Sequence, residues 1–149
     1  MLAGRPLPEI NAFVDAYNAV SLEHVMPAGA DDLAHVVGDV AFRYARPGDT
    51  FLDMAPGEEG QGPVSDPPKT GEVVYADAEK VLCRRWNWRQ DARSLVSPST
   101  TRAIATIQAN GAGNLDHALA DLGVLLHRFC GGTIRASVAG ASQPIVEIG

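Results

Sequence analysis

Seven consecutive positions, Cys83-Arg84-Arg85-Trp86-Asn87-Trp88-Arg89, hold three arginines, both tryptophans of the chain, an asparagine and a cysteine. Arginine offers a fixed fork of donors to a carboxylate or phosphate. Tryptophan offers an apolar wall that also stacks on a base or a cation. Asparagine donates and accepts within one pocket. Together these residue types suit the recognition of an amino acid or of a nucleotide end. The alternative is that the tryptophans are core and the arginines are solvated or paired. If residues 81–86 are a strand, alternation sends Cys83, Arg85 and Asn87 one way and Arg84, Trp86 and Trp88 the other. Arg84, Arg85, Arg89 and Arg93 form the only dense basic cluster, the natural place for a nucleic acid to touch.

Other candidates are sparser. Asn18 and Ser21 stand three apart beside the apolar face of the first helix, close enough to be neighbours on its surface. A solvated Asn18 is an equal alternative. His24, His35, His117 and His127 are scattered, with no His-x-x-x-His or Cys-x-x-Cys spacing, so neither a metal nor another cofactor is expected. There is no phosphate-binding Gly-rich loop ending in Lys-Ser/Thr and no Gly-x-Ser-x-Gly elbow. Cys83 would be a nucleophile only with a histidine beside it in space; packing is the commoner role of a strand cysteine.

The elements that must position these residues follow from periodicity. Ile10, Phe13, Val14, Tyr17 and Val20 have helical spacing, with Pro8-Glu9 as a first turn and Pro27 and Gly29 as a stop. Asp31-Asp32 caps a short helix through Val37. Residues 40–45 alternate as a half-buried strand, and Pro47-Gly48-Asp49 turns it into a hairpin with 50–52. Residues 55–71, rich in Gly and Pro, make a long loop. Strands follow at 72–76 and 81–86, a short helical turn at 97–100, and a strand at 103–108. Asn114 caps the clearest helix, whose apolar face is Leu115, Leu119, Leu122, Leu126 and Phe129. Gly131-Gly132 ends it, and 133–138 and 145–148 read as two last strands. Three helices and six or seven strands, mostly in antiparallel hairpins, give an α+β or mixed α/β architecture.

At 149 residues the chain fits one domain. Apolar residues make up 46% and charged residues 20%, enough for a packed core. The net charge of -6 excludes a protein that grips a phosphate backbone over its whole surface. Cys83 and Cys130 are expected as two reduced thiols. With neither a signal-like N-terminus nor a membrane-length apolar run, the expected location is cytoplasmic.

In order along the chain, several strings resemble one family. They are Ile10 to Leu22, Met26-Pro27-Ala28-Gly29-Ala30-Asp31-Asp32-Leu33, Gly38-Asp39, Arg43-Tyr44-Ala45, Pro47-Gly48-Asp49, Gly71-Glu72-Val73-Val74-Tyr75-Ala76-Asp77, Val81 to Arg89, and Cys130-Gly131-Gly132. The chain resembles, over about residues 8–134, the free-standing form of the B3/B4 domain of the phenylalanyl-tRNA synthetase β subunit. The resemblance implies a three-layer α/β fold containing a β-sandwich of unusual topology. It also implies an editing role: hydrolysis in trans of a mischarged aminoacyl-tRNA, whose 3′ end would be a transient partner. Binding of a free amino acid or small metabolite, or repurposed chemistry in the same pocket, is the alternative. The implied pocket residues are Asn18, Ser21, Gly29, Cys83, Arg84, Arg85, Trp86, Asn87, Trp88 and Gln108. Gly29 stands where the family pattern has a histidine, Gln108 where it has a glutamate, and Cys83 to Trp88 replace a wall of small residues. Free-standing members usually carry an N-terminal extension, so this chain is read as a trimmed or short variant.

Overall fold

The computed structural model describes residues 9–54 and 62–148. In chain order the elements are α1 (Ala12–His24), β1 (Ala28–Asp32), a 3-10 turn (Leu33–His35), β2 (Ala41–Tyr44), β3 (Leu52–Asp53), β4 (Val64–Ser65), β5 (Val73–Ala76), β6 (Val81–Arg84), β7 (Arg89–Gln90), β8 (Ala103–Ile107) and α2 (Leu115–Cys130). This is a mixed α+β fold, as the sequence leads one to expect. Among the described residues, no helix is long and apolar enough to cross a membrane.

Both long helices start where a side chain can satisfy the first free amides. The Asn11 side chain accepts from the Val14 amide at 3.0 Å, and Asn114 accepts from the His117 amide at 3.1 Å. The first helix therefore begins at Ala12, capped by Asn11, and not in a turn opened by Glu9. Ala16 and Val20 of α1 meet Ala118, Leu122 and Leu126 of α2, with Met26 beneath them. Phe129, expected on that apolar face, is exposed.

β1 and β8 pair as a two-stranded antiparallel sheet, Gly29 opposite Thr106 and Asp31 opposite Ile104. Ala105 and Ile107 pack against the helical core. Alternation then turns Gly29, Asp31 and Thr106 away from the helices. They face the four-stranded sheet β2-β5-β6-β7. One row across that sheet is Phe42, Tyr75, Cys83 and Gln90; the next is Arg43, Val74, Arg84 and Arg89. The register slips between β5 and β6, leaving Leu82 as an extra residue between Val81 and Cys83. The layers are thus helices, the β1–β8 pair, and the larger sheet, with the site between the two sheets.

Several expectations are corrected. Residues 28–32 form a strand, not a break before a helix, because the chain pairs with β8. Asp32 still caps, but the capped piece is a single 3-10 turn, through a 2.9 Å bond from the Ala34 amide. The strand at 40–45 does not form a hairpin with 50–52: β2 pairs with β5, and β3 pairs with β4. Phe42 and Tyr44 are exposed on β2 at the sheet edge, so that strand is less buried than its alternation suggests. Residues 97–100 form a turn and no helix. Residues 133–138 and 145–148 make no strands; only a bridge between Gly140 and Gln143 forms there. Of the long loop at 55–71, residues 55–61 lie outside the described residues and the rest includes β4.

The second row is anchored by Arg84. Its residue is 1% exposed, and its guanidinium makes a two-point pair with Glu72 at 2.7 and 2.8 Å and a third bond to the Asp66 carboxylate at 2.8 Å. The plane lies 5.3 Å from the Phe51 ring centroid. The Arg84 hydrogen bonds hold the Glu72 carboxyl below its ordinary pKa. Removing one member of such a pair strands the other charge. Arg84→Ala is therefore expected to cost about 3–5 kcal/mol of unfolding free energy, read from urea melts. A value under about 1 kcal/mol would refute the anchoring role.

Candidate functional site

β6 ends at Arg84, and residues 85–88 form a tight turn into β7. Arg85, Trp86 and Asn87 all take left-handed backbone angles, with φ of 53°, 57° and 60°. Each such residue other than glycine costs roughly 1–2 kcal/mol, less for asparagine. Strict alternation therefore stops at Arg84. Asn87 does turn inward toward Cys83 as the spacing suggests. Trp86, however, reaches the edge-strand Phe42, which lies in the Cys83 row and not in the Arg84 row.

Asn87 fills the space over Gly29. A methyl group built on Gly29 would stand 2.9 Å from Asn87 Cγ and 3.0 Å from its Oδ1. The Cys83 thiol donates to Asn87 Oδ1 at 2.7 Å, and Asn87 Nδ2 donates to Thr106 Oγ1 at 3.4 Å. Burial pushes the Cys83 thiol up to about 12, so it keeps its proton and is a packing and donor group, not a nucleophile.

One layer deeper lies Asp31, 3% exposed. Its Oδ1 accepts from Ser94 Oγ at 2.6 Å and from Gln90 Nε2 at 2.6 Å. Burial raises its carboxyl from 3.8 to about 6. The Tyr75 hydroxyl is raised by burial and by the nearby Asp31 charge, and Tyr17 in the same sense. A carboxyl that titrates near neutrality is the group of this cluster able to exchange a proton at working pH.

Gln108 follows Thr106 by two positions, on the same side by alternation. Its backbone amide bonds Pro27 O at 2.9 Å. The residue is 7% exposed, and neither Nε2 nor Oε1 has a partner. Buried amides are almost always satisfied, which makes Gln108 an exception among the described residues.

The expected site residues separate into three groups. Gly29, Cys83 and Asn87 come together, with Gln108 just past the end of β8, two residues after Thr106. Asn18 and Ser21 are half-buried on α1, and among the described residues no side-chain hydrogen bond ties them to this cluster. Arg84, Trp86, Trp88 and Arg85 do not line its interior: Arg84 is anchored on the opposite face of the sheet, and the other three are exposed. The basic cluster also dissolves as a continuous patch. Arg84 is neutralised by Glu72 and Asp66, Arg89 faces Asp53 at 3.1 Å, and Arg93 is bound to Asp91 at 2.6 Å. Arg85 is left with no ion pair or side-chain hydrogen bond among the described residues. Sequence reasoning missed Asp31, Gln90, Ser94, Tyr75 and Thr106. Only the extended register of β1 against β8, unseen in the sequence, would have marked Asp31 as inward. A groove of about 270 Å³ between α1 and α2 contains none of these residues.

Among known families, the sequence model of the B3/4 domain matches residues 1–118. No curated protein matches at a significant level.

Two outcomes test the geometry. Gly29→Ala is expected to lose about 1–3 kcal/mol through overpacking. Asn87→Gly should remove most of that penalty in the double variant, since glycine accepts φ 60°; additive losses in the cycle would disprove the contact. For Asp31, a folded-state value raised from 3.8 to about 6 means the native state binds the proton more tightly than the unfolded chain. Stability therefore falls as pH rises through that window. Asp31→Asn is expected to exceed the parent by on the order of 2–3 kcal/mol above pH 6, with the difference vanishing below pH 4. Equal stabilities at both pH values would contradict the buried carboxyl.

Proposed function

From the premise that the chain belongs to the B3/4 domain family, we propose that it binds an amino-acid-sized polar group between the β1–β8 pair and the β6–β7 turn. That group is the aminoacyl end of a mischarged tRNA, and the reaction is hydrolysis of its ester in trans. The observation that carries the reading is Gln108, a buried amide whose donor and acceptor are both unpartnered. A carboxamide reads a ligand that offers both an acceptor and a donor, as an amino acid side chain or backbone does. Water adds to the ester carbonyl, the proton it loses is taken up by a carboxylate, and the ribose oxygen leaves with a proton. Asp31, titrating near 6, is the group suited to hold that proton; the rest of the rate comes from positioning.

A second reading rests on a different observation. Gly29 carries no side chain, and Asn87 closes over it. A site without a titratable group at that position suits holding a free amino acid or related metabolite without turnover.

Deacylation assays over a panel of mischarged tRNAs decide between them. The first reading expects release above the buffer rate for at least one aminoacyl group, rising through pH 6 and flattened in Asp31→Asn. No release for any aminoacyl-tRNA, together with stabilisation of the fold by a free amino acid at millimolar levels, would replace it with the second. Gln108→Met is expected to stabilise the free protein by about 1 kcal/mol, since it removes an unsatisfied buried amide, while weakening the ligand response. Loss of stability in that variant would mean that the amide has a structural partner instead.

A further inference from the structure

β2 is the outer strand of the four-stranded sheet, and among the described residues it pairs with β5 alone. The phase of its backbone is fixed by the bond from the Ala45 amide to the Glu72 carbonyl at 2.8 Å. That pair continues the β2–β5 register, so Ala41, Arg43 and Ala45 turn their amides and carbonyls toward β5. Phe42 and Tyr44 turn theirs outward, to the free edge. The Tyr44 carbonyl accepts there from the Arg43 guanidinium at 3.1 Å and has a second lone pair to offer. The side chains of the same two residues share one face, Phe42 48% exposed and Tyr44 71% exposed. Val73, across from Tyr44 on β5, and Trp86, stacked on Phe42, are exposed beside them. Natural sheets guard such an edge with a charge, a proline or a bulge. β2 has one charge, Arg43, and Asp49 neutralises it through bonds of 2.7 and 2.8 Å.

We propose that this edge is a dimer interface, in which β2 pairs antiparallel with β2 of a second copy about a two-fold axis at Arg43. The backbone phase selects that register. Outward-pointing groups must meet outward-pointing groups, and an axis at Arg43 sets Phe42 opposite Tyr44 of the second copy on both sides. Both are then hydrogen-bonded pairs, and every outward group of β2 is used. An axis at Phe42 or at Tyr44 matches that residue with its own copy and carries the other past the end of the strand. The side chains agree with the backbone. Each Phe42 faces a Tyr44, an aromatic cross-strand pair that stabilises a sheet. The two Arg43 side chains meet on the other face, each with its own Asp49, as neutral pairs. The surface is thus self-complementary, as a two-fold interface requires. Phe42, Tyr44 and Trp86 alone leave roughly 350–400 Å² exposed per copy, about half of the ~800 Å² that each partner of a standard interface buries. That area suits a reversible dimer. The charge of -6 on each copy opposes it, so salt should favour association.

Sedimentation equilibrium of the full chain tests the interface. The mass should rise from that of one chain toward that of two as concentration climbs through the micromolar range, and added salt should shift this rise to lower concentration. Tyr44→Glu puts a carboxylate into both aromatic pairs and should weaken association by about 10-fold or more. Its melting temperature should match the parent's at dilutions where the parent is monomeric, because Tyr44 is exposed in the single chain. The register is read by disulfide formation in a Cys130→Ser background, which removes the exposed thiol. Arg43→Cys should link two copies under a mild oxidant, since opposite residues of a non-hydrogen-bonded pair lie about 4.5 Å apart. Tyr44→Cys should stay unlinked, because its copy lies diagonally across the axis, more than about 7 Å away. Should Arg43→Cys not fold, the mass of Tyr44→Glu still decides the matter. A monomer at every concentration and salt level, or a dimer that Tyr44→Glu leaves intact, overturns the proposal. Linking at position 44 and not at 43 overturns the axis at Arg43.

Discussion

Three successive left-handed residues at the end of β6 set the direction of nearly every candidate group in this molecule. Arg85, Trp86 and Asn87 have φ between 53° and 60°, a conformation that glycine adopts freely and other residues resist. The turn persists because both of its ends are fixed. On its strand side, Arg84 is locked by Glu72 and Asp66. On its inner side, Asn87 is held by the Cys83 thiol and lies on Gly29. A shift of one residue in this turn would exchange the inward amide for an exposed ring.

The same arrangement explains why a run of arginines is not a basic surface. Burying Arg84 without partners would cost far more than the fold gains from packing it on Phe51, so Glu72 and Asp66 accompany it. Arg93 and Asp91 repeat the pattern: Asp91 is fully buried, accepts from the Leu52 amide at 2.8 Å and binds the Arg93 guanidinium. Arg84 ties β6 to the 66–72 segment, Arg89 ties β7 to β3 through Asp53, and Arg93 reaches from Asp91 to Thr50. Arg85, exposed and with no ion pair among the described residues, acts on Glu72 at longer range.

Much of the fold was legible, and the failures share a cause. Helix starts at Asn114 and strands at 73–76, 81–84 and 103–107 follow from local signals: a cap, alternation, β-branched residues. The hairpin between 40–45 and 50–52 failed because its turn, with Arg43 bound to Asp49 at 2.7 and 2.8 Å, looks locally like a hairpin turn while the strand pairs with β5 instead. β1 failed because Ala-Gly-Ala-Asp-Asp has almost no strand propensity; it is extended only because β8 lies alongside. With β1 misread, Asp31 became a cap and its burial against Gln90 and Ser94 could not be foreseen. The reading of 83–89 extended one strand's alternation through the segment. The positive φ values divide it into an anchor at Arg84, an inward amide at Asn87 and an exposed ring at Trp86 against Phe42.

The inward amide also bears on what a wall of this kind can accommodate. Gly29 and Asn87 are physically one unit. Gly29 has no Cβ, and the volume over it is taken by Asn87, whose carboxamide would clash with any larger residue there. Neither position is easily exchanged alone: a side chain at Gly29 meets Asn87, and a small residue at 87 leaves an unfilled space over Gly29 and the Cys83 thiol without its acceptor. The amide fixed by Cys83 is neutral at every pH, so the charge on this side of the β1–β8 pair is that of Asp31, whose carboxyl burial raises to about 6 and which is anionic above that pH.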